Sequence, residues 1–344
     1  MVDYFIDSNP PLDKLPLNNR PKMFLFGVPS YANMGDQAVS IAIKKFFERE
    51  YPQYQYIEIM DYDNEQAIKD VSNIITSQDI VGYTGGGNLG SLHIEIEKDR
   101  RDVFSTFVHN LTLSFPQSIH FEINAYGQKE KKKTQEAYAK NKHLIIFVRD
   151  AQSYRRAQST FDNPIILIPD MVLYFHQPAF NLRRNGALLV LRHDNEKILP
   201  LSFIKQLKSN FKGKYGNIPE TDTVLKKPSK ITPLIQEVIL KKLLKKFASK
   251  ELILTDRFHA MIFSAMTRTP CILFGNSYGK GKHAYYDWLD HIQWVTYTDS
   301  NDLNYIKDLT RKIKSAPLHN YNLLGSFRPL KRIIERHSQK HDIQ

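Results

Sequence analysis

Short apolar runs alternate with amphipathic stretches along the whole chain. In the first half, Met23–Gly27, Tyr56–Ile59, Asp79–Tyr83, Ser118–Phe121, Leu144–Val148 and Ile165–Ile168 are rich in hydrophobic residues, the pattern of strands buried on both faces. Between them apolar positions recur every three or four residues near Asp36–Glu50, Asn64–Thr76, Asp99–Leu113, Lys129–Lys140 and Ala151–Gln158, which predicts helices. The second half repeats the scheme, with strands expected at Ala187–Leu191, Glu251–Leu254, Cys271–Phe274 and Gln293–Tyr297 and helices at Ile231–Ala248, Arg257–Met266 and Asp302–Lys314. Such alternation predicts βαβ units, hence an α/β fold of two Rossmann-like, doubly wound domains facing a cleft, with ligands beyond the C-terminal strand ends. The polar stretch His176–Gly186 is the candidate linker, dividing residues 1–178 from 179–344. The final Leu324–Gln344 reads as a last helix that packs back on the first domain.

Composition narrows this picture. A length of 344 residues suits two domains. The N-terminal stretch lacks a secretory pattern, and runs such as His143–Val148 fall well short of the ~18–20 residues of a membrane span. The single cysteine, Cys271, lies within an apolar run, so no intrachain disulfide is expected and a cytoplasmic protein is. The net charge of +12 is concentrated: residues 201–250 hold twelve lysines against Glu220, Asp222 and Glu237. Within that block Leu234, Ile235, Val238, Ile239, Leu243, Leu244 and Phe247 fall at helical spacing, so the helix is expected to dock on its own core with a solvated lysine face. Peripheral contact with an anionic membrane at the inner face is the other reading. No helix-turn-helix or RNA-binding sheet signature accompanies the lysines, and no nucleic-acid partner is expected.

Four polar clusters fall where strands give way to helices. In "YANMGDQAVS", Asp36 stands at a helix start, where a carboxylate caps the first turn or faces a ligand, with Asn33 and Gly35 beside it. In "VGYTGGGNLG", Gly85, Gly86 and Gly87 before Asn88 make either a tight turn or a ligand-lining backbone; the pattern is neither a P-loop nor a dinucleotide fingerprint. In "FVRDAQS", Asp150 is a helix cap, Ser153 lies in the first turn, and Arg149 pairs with an acid or reaches a cleft. Arg192, ending another strand, pairs with Asp194 or Glu196 or converges with Arg149 on an anion. In "LTDRFHAM", Thr255 or Asp256 caps a helix that carries Arg257 and His259 at its start: guanidinium, imidazole and helix N-terminus together suit an anion. Tyr278, Lys280 and Lys282 follow on a glycine-rich loop. No metal-ligand spacing is present, and no metal is expected.

Taken in order, "NMGDQA", "TGGGN", "VRDAQS", "PDM" and "TDRFHAMI…TPCILFG" with the lysine-bearing loop resemble the polysaccharide pyruvyl transferase family over roughly Phe26 to Leu289. Ala32-Asn33-Met34 stands where the family often has Gly-Asn, and Phe258 and Ala260 where it often has Leu and Gly around the histidine. The resemblance implies a fold similar to the B-type glycosyltransferases. It also implies phosphoenolpyruvate as co-substrate without a resident cofactor, a glycan or lipid-linked saccharide as acceptor, and a pyruvate ketal as product, in exopolysaccharide or cell-wall synthesis. The family's Arg-x-His pair falls on Arg257 and His259 and is implied to hold the donor's anionic groups. On that reading Arg149, Arg192, Arg257, Lys280 and Lys282 bind the donor, His259 is the general acid and Asp36 the base or hydroxyl-orienting group. A nucleotide-sugar glycosyltransferase of the same architecture is the alternative, and a basic nucleic-acid-binding protein a further one.

Overall fold

The computed structural model describes residues 4–6, 18–175, 180–194, 197–227, 230–275, 279–319 and 321–343; of Tyr4–Ile6 and Lys280 it describes the backbone only. In the first half, strands β1 (Tyr4–Ile6), β2 (Lys22–Val28), β3 (Gln55–Met60), β4 (Ile80–Tyr83), β5 (Gly86–Gly90), β6 (Leu111–His120), β7 (Leu144–Val148) and β8 (Ile165–Leu167) form one parallel sheet. Its order is β1-β3-β2-β4-β6-β7-β8, with β5 paired to β6 off this path. Helices α1 (Met34–Glu50), α2 (Asn64–Ile74), α3 (Ile94–Thr106), α4 (Ala125–Ala139) and α5 (Ala151–Gln158) connect the strands. In the second half β9 (Ala187–Val190), β10 (Glu220–Thr221), β11 (Leu252–Thr255), β12 (Cys271–Phe274) and β13 (Val295–Thr298) form a parallel sheet ordered β10-β9-β11-β12-β13. Around it lie α6 (Leu201–Tyr215), α7 (Pro233–Ala248), α8 (Phe258–Met266), α9 (Lys280–Ala284), which runs into a π-helical turn at Tyr285–Leu289, and α10 (Leu303–Ser315). The last helix, α11 (Arg328–Lys340), packs on the first sheet's side: the Tyr51 hydroxyl donates to the Lys331 carbonyl at 2.9 Å, and Phe327 meets Tyr174 edge-on.

The two sheets share a hydrophobic core. Helix α1 buries Val39, Ile41, Ala42, Ile43, Phe46 and Phe47 and, with them, Gln37, Ser40 and Lys44, so it is covered on several sides. It is continuous in the core with Leu240, Leu243, Leu244 and Phe247 of α7 and Met261 and Phe263 of α8. The outer faces have cores of their own, one under α3 and α4 and one under α6 and α10. What the fused core leaves open is a cleft at the C-terminal ends of the strands. No helix among the described residues is long and apolar enough to cross a membrane.

Several elements depart from the periodicity. Strand β6 runs from Leu111, inside the expected helix Asp99–Leu113, because "LTLSFPQSIH" alternates around Pro116. The register slips between Ser114 and Gln117, where β6 exchanges β4 for β5 as neighbour, and a proline is tolerated at such an irregularity. The three glycines are likewise not a simple turn, since Gly86 opens β5. Strands β1 and β10 and helix α6 were not expected; α6 buries Phe203, Ile204, Leu207, Phe211 and Tyr215 on one face and stops at Gly216, whose φ of +66° ends the helix. Helix α7 does not dock fully, leaving Leu234 and Val238 exposed while Leu243, Leu244 and Phe247 are buried. The expected domain break at 178 and part of the candidate linker lie outside the described residues.

Candidate active site

A cleft of about 390 Å³ lies between the two halves. On the first side, the cap of α1 is Asn33, whose side-chain oxygen accepts from the Gly35 amide at 3.0 Å, so the expected capping role of Asp36 passes to Asn33. Asp36 is instead held from the side: its Oδ2 accepts from Asn33 Nδ2 at 2.7 Å and from the Tyr31 hydroxyl at 3.1 Å. Burial, with the neighbouring Asp36 charge, pushes the Tyr31 phenol well above its ordinary range, so it stays a neutral donor. Both bonds fall on Oδ2, which leaves Oδ1 as the oxygen turned to β5, 3.7 Å from where a Cβ on Gly86 would stand. Asn88 on β5 is fixed from behind by the fully buried Arg100, which donates to its carbonyl oxygen and pairs with Glu97.

On the second side, Thr255 Oγ1 accepts from the Arg257 amide at 2.9 Å as β11 turns into α8. The Arg257 guanidinium is bound along one edge by Asp222, with Nε and Nη2 each donating at 2.7 Å, and its Nη1 donates to Asp194 Oδ2 at 2.8 Å. Arg192 donates through Nε to Asp194 Oδ1 at 2.8 Å. Asp222 begins a strap that crosses to the first side: the Met34 amide donates to Thr223 O at 2.9 Å and the Leu225 amide to Ala32 O at 2.8 Å. Thr223 and Val224 on this strap line the cleft opposite His93 and Ile96.

His259 joins the two walls. Its ring lies so close to the first turn of α1 that a Cβ at Gly35 would fall 2.1 Å from Nδ1; only glycine admits the imidazole there. Its Nε2 lies 3.6 Å from Asp170 Oδ2, in the loop after β8. Asp170 is buried and also accepts from Arg149 Nη1 at 2.7 Å and the Val172 amide at 2.9 Å. Burial alone would raise the Asp170 carboxyl, but the His259 imidazole and the Arg149 guanidinium outweigh it and hold the group far below the usual carboxylate range. The Asp170 carboxylate thus stands behind Nε2 beyond hydrogen-bond length, while Nδ1 faces the first turn of α1.

The expected residues therefore divide. Asn33, Asp36, Gly87, Asn88, Arg149, Arg192, Arg257 and His259 line the cleft. Gly35 lies under the histidine; a Cβ on Gly85 would meet Pro116 O at 2.8 Å, behind the wall, and one on Gly86 would face Asp36 Oδ1 and Asn88 Nδ2, each at 3.7 Å. Ser153 does not line it: buried, it donates to Asp150 and accepts from the Ile119 amide, tying α5 to β6. Nor does Lys282, which pairs with Asp299 at 2.8 Å and lies over the Tyr297 ring. Tyr278 and the Lys280 side chain are outside the described residues. Asp170, Asp194, Asp222 and Arg100 were not singled out as site residues. Asp170 carried a local signal, as an acid just past a strand end in "PDM", and Asp194 one as the expected partner of Arg192 two residues away; Asp222 as the partner of Arg257 depends on a chain crossing that spacing does not report.

Comparison with known proteins accords with this geometry. Residues 33–278 match the family model described as polysaccharide pyruvyl transferase. The chain is 45% identical over 314 residues to General stress protein 30 of Bacillus subtilis strain 168, covering 91% of each. It is 27% identical over 288 residues to Pyruvyl transferase 1 of Schizosaccharomyces pombe, 78% of this chain and 70% of that one. Among solved structures, the UDP-GlcNAc 2-epimerase of Methanocaldococcus jannaschii superposes with a TM-score of 0.51 at 12% identity, covering 92% of this chain and 99% of that chain. That likeness shows the fold alone, two facing Rossmann-like domains as in the B-type glycosyltransferases. The chain belongs to the polysaccharide pyruvyl transferase family.

Proposed function

We propose that the protein transfers the pyruvyl unit of phosphoenolpyruvate onto two hydroxyls of a glycan as a ketal, releasing phosphate. One juxtaposition carries the reading: two arginines and an imidazole on the second wall face the Asp36 carboxylate on the first across one cleft, in a chain of this family. The arginines suit the donor's phosphate and carboxylate. His259 delivers a proton to the methylene carbon, so that C2 becomes electrophilic. A sugar hydroxyl adds to C2 and gives its proton to Asp36 Oδ1, the C2–O bond to phosphate breaks, and the second hydroxyl closes the ring. In balance, the second hydroxyl's proton leaves with phosphate, and the proton taken by Asp36 is returned through solvent to His259, replacing the one now on the methyl group. Asp170 orients the imidazole, and Tyr31 and Asn33 keep Asp36 aimed. Proton transfers and an addition–elimination at one carbon need no resident cofactor.

Removing a general acid costs on the order of a hundredfold or more. His259→Ala should therefore lose phosphoenolpyruvate-dependent phosphate release to that degree, and near-wild-type release would refute the role. An acceptor carried on lipid would bring the protein to a membrane, and α7 offers a face for it, with exposed Leu234 and Val238 ahead of exposed Lys241, Lys242 and Lys245. Failure to sediment with anionic vesicles at low salt would sink that part.

A further inference from the structure

The geometry points to an anion subsite at the bridge between Arg192 and Arg257, filled in the resting protein by the Asp194 carboxylate, which an incoming phosphate or carboxylate group displaces. Asp194 accepts from Arg192 Nε at 2.8 Å and Nη2 at 3.3 Å, and from Arg257 Nη1 at 2.8 Å. One carboxylate thus spans two guanidinium groups, the contact that a donor anion would make. The two acids on Arg257 differ in how they are held. Asp222 is 10% exposed, binds the Nε edge with two bonds, and belongs to the strap bonded to α1 and the loop before it. Asp194 is 45% exposed, while the Arg192 and Arg257 side chains beneath it are only 8% and 11% exposed.

Asp222 therefore fixes the orientation of Arg257, with Nη1 directed toward the bridge, and Asp194 covers the bridge. Swinging Asp194 into solvent restores its hydration, and partly exposed ion pairs are weak, so a group of higher charge replaces it readily. The exchange has a consequence for turnover. Because every bound anion competes with Asp194, released phosphate is held less tightly than two arginines alone would hold it. The subsite rests on the phosphoenolpyruvate reading only for the identity of the natural occupant.

The test is calorimetric titration of the full chain with inorganic phosphate and, separately, with phosphoenolpyruvate, for wild type, Asp194→Asn, Asp194→Ala and Arg192→Gln, each first checked by thermal unfolding. Both Asp194 variants should bind phosphate roughly three- to tenfold more tightly, the worth of one or two partly exposed ion pairs. Arg192→Gln should weaken binding about tenfold. Asp194 variants that bind phosphate no more tightly than wild type overturn the proposal, and so does an Arg192→Gln protein that binds as well as wild type. Tightened phosphate binding with no phosphoenolpyruvate binding in any of the four proteins would defeat the donor assignment while leaving the subsite in place.

Discussion

Gly35→Ala isolates the contact that joins the two walls. Gly35 has a helical backbone in the first turn of α1, so the helix itself would gain from alanine, by up to about 0.5–1 kcal/mol. Against that, the new methyl would stand 2.1 Å from His259 Nδ1, 2.6 Å from Cγ and 3.0 Å from Cβ. Contact with Cγ and Cβ means that spinning the ring cannot relieve it, so the whole side chain must leave its rotamer. Overpacking of this kind costs about 1–3 kcal/mol. The expected result is a net loss of roughly 1–2 kcal/mol in stability together with loss of phosphate release, because the displaced imidazole no longer faces the cleft. Apparent melting temperatures of wild type, Gly35→Ala, His259→Ala and the double variant form the assay. Removing the ring abolishes the clash, so Gly35→Ala should stabilise the His259→Ala background while destabilising wild type, a sign reversal that identifies direct contact. If Gly35→Ala stabilises both backgrounds equally and keeps activity, His259 is not seated on α1 and the reasoning fails.

Asp36→Asn keeps a side-chain carbonyl oxygen to accept from Asn33 and Tyr31 and leaves the Asn33–Gly35 cap bond in place, so stability should change by no more than about 1 kcal/mol while turnover falls about a hundredfold or more; equal turnover in a phosphate-release assay would remove Asp36 from the mechanism. Glu58 on β3 is fully buried, and burial, partly opposed by Lys44 and the neighbouring Gln236 side chain, pushes its carboxyl up to about 7. A raised acid holds its proton in the folded state where the unfolded chain, titrating near 4.5, has lost it. Its contribution therefore declines as pH rises from about 4.5 to 7, by about 3 kcal/mol in all. Glu58→Gln should melt higher than wild type at pH 8 and about equally at pH 4.5, and an unchanged difference at the two pH values would contradict this.

The parallel αβ architecture was legible because strands buried on both faces read as continuous apolar runs, as Leu144–Val148 and Cys271–Phe274 do. Strand β6 was read only at its end, where a strand at Ser118–Phe121 was expected, since Pro116 and alternating polar residues mask the first part of a strand that changes partner midway. Arg257 and His259 were visible because strand ends abut helix starts, so one local segment reports its place in the cleft. Local spacing showed the Arg192–Asp194 pair, two residues apart, but not the acids that Arg149 and Arg257 meet. Arg149 finds Asp170, 21 positions away, and Arg257 finds Asp222, 35 away, through chain crossings set by tertiary packing. Lys282 failed for the same reason, its partner Asp299 lying beyond the next strand. Gly35 looked like part of a ligand-lining loop, yet its constraint comes from a histidine more than two hundred residues away.

The most direct measurement is incubation of the full chain with phosphoenolpyruvate and a panel of exopolysaccharide and cell-wall saccharide precursors, following released phosphate and the mass of the glycan together. The expected result is one phosphate released for each pyruvate ketal gained by an acceptor, dependent on both substrates and absent in His259→Ala. Acceptor-independent phosphate release, or a glycan that gains a sugar from a nucleotide-sugar donor but no pyruvate from phosphoenolpyruvate, would contradict it.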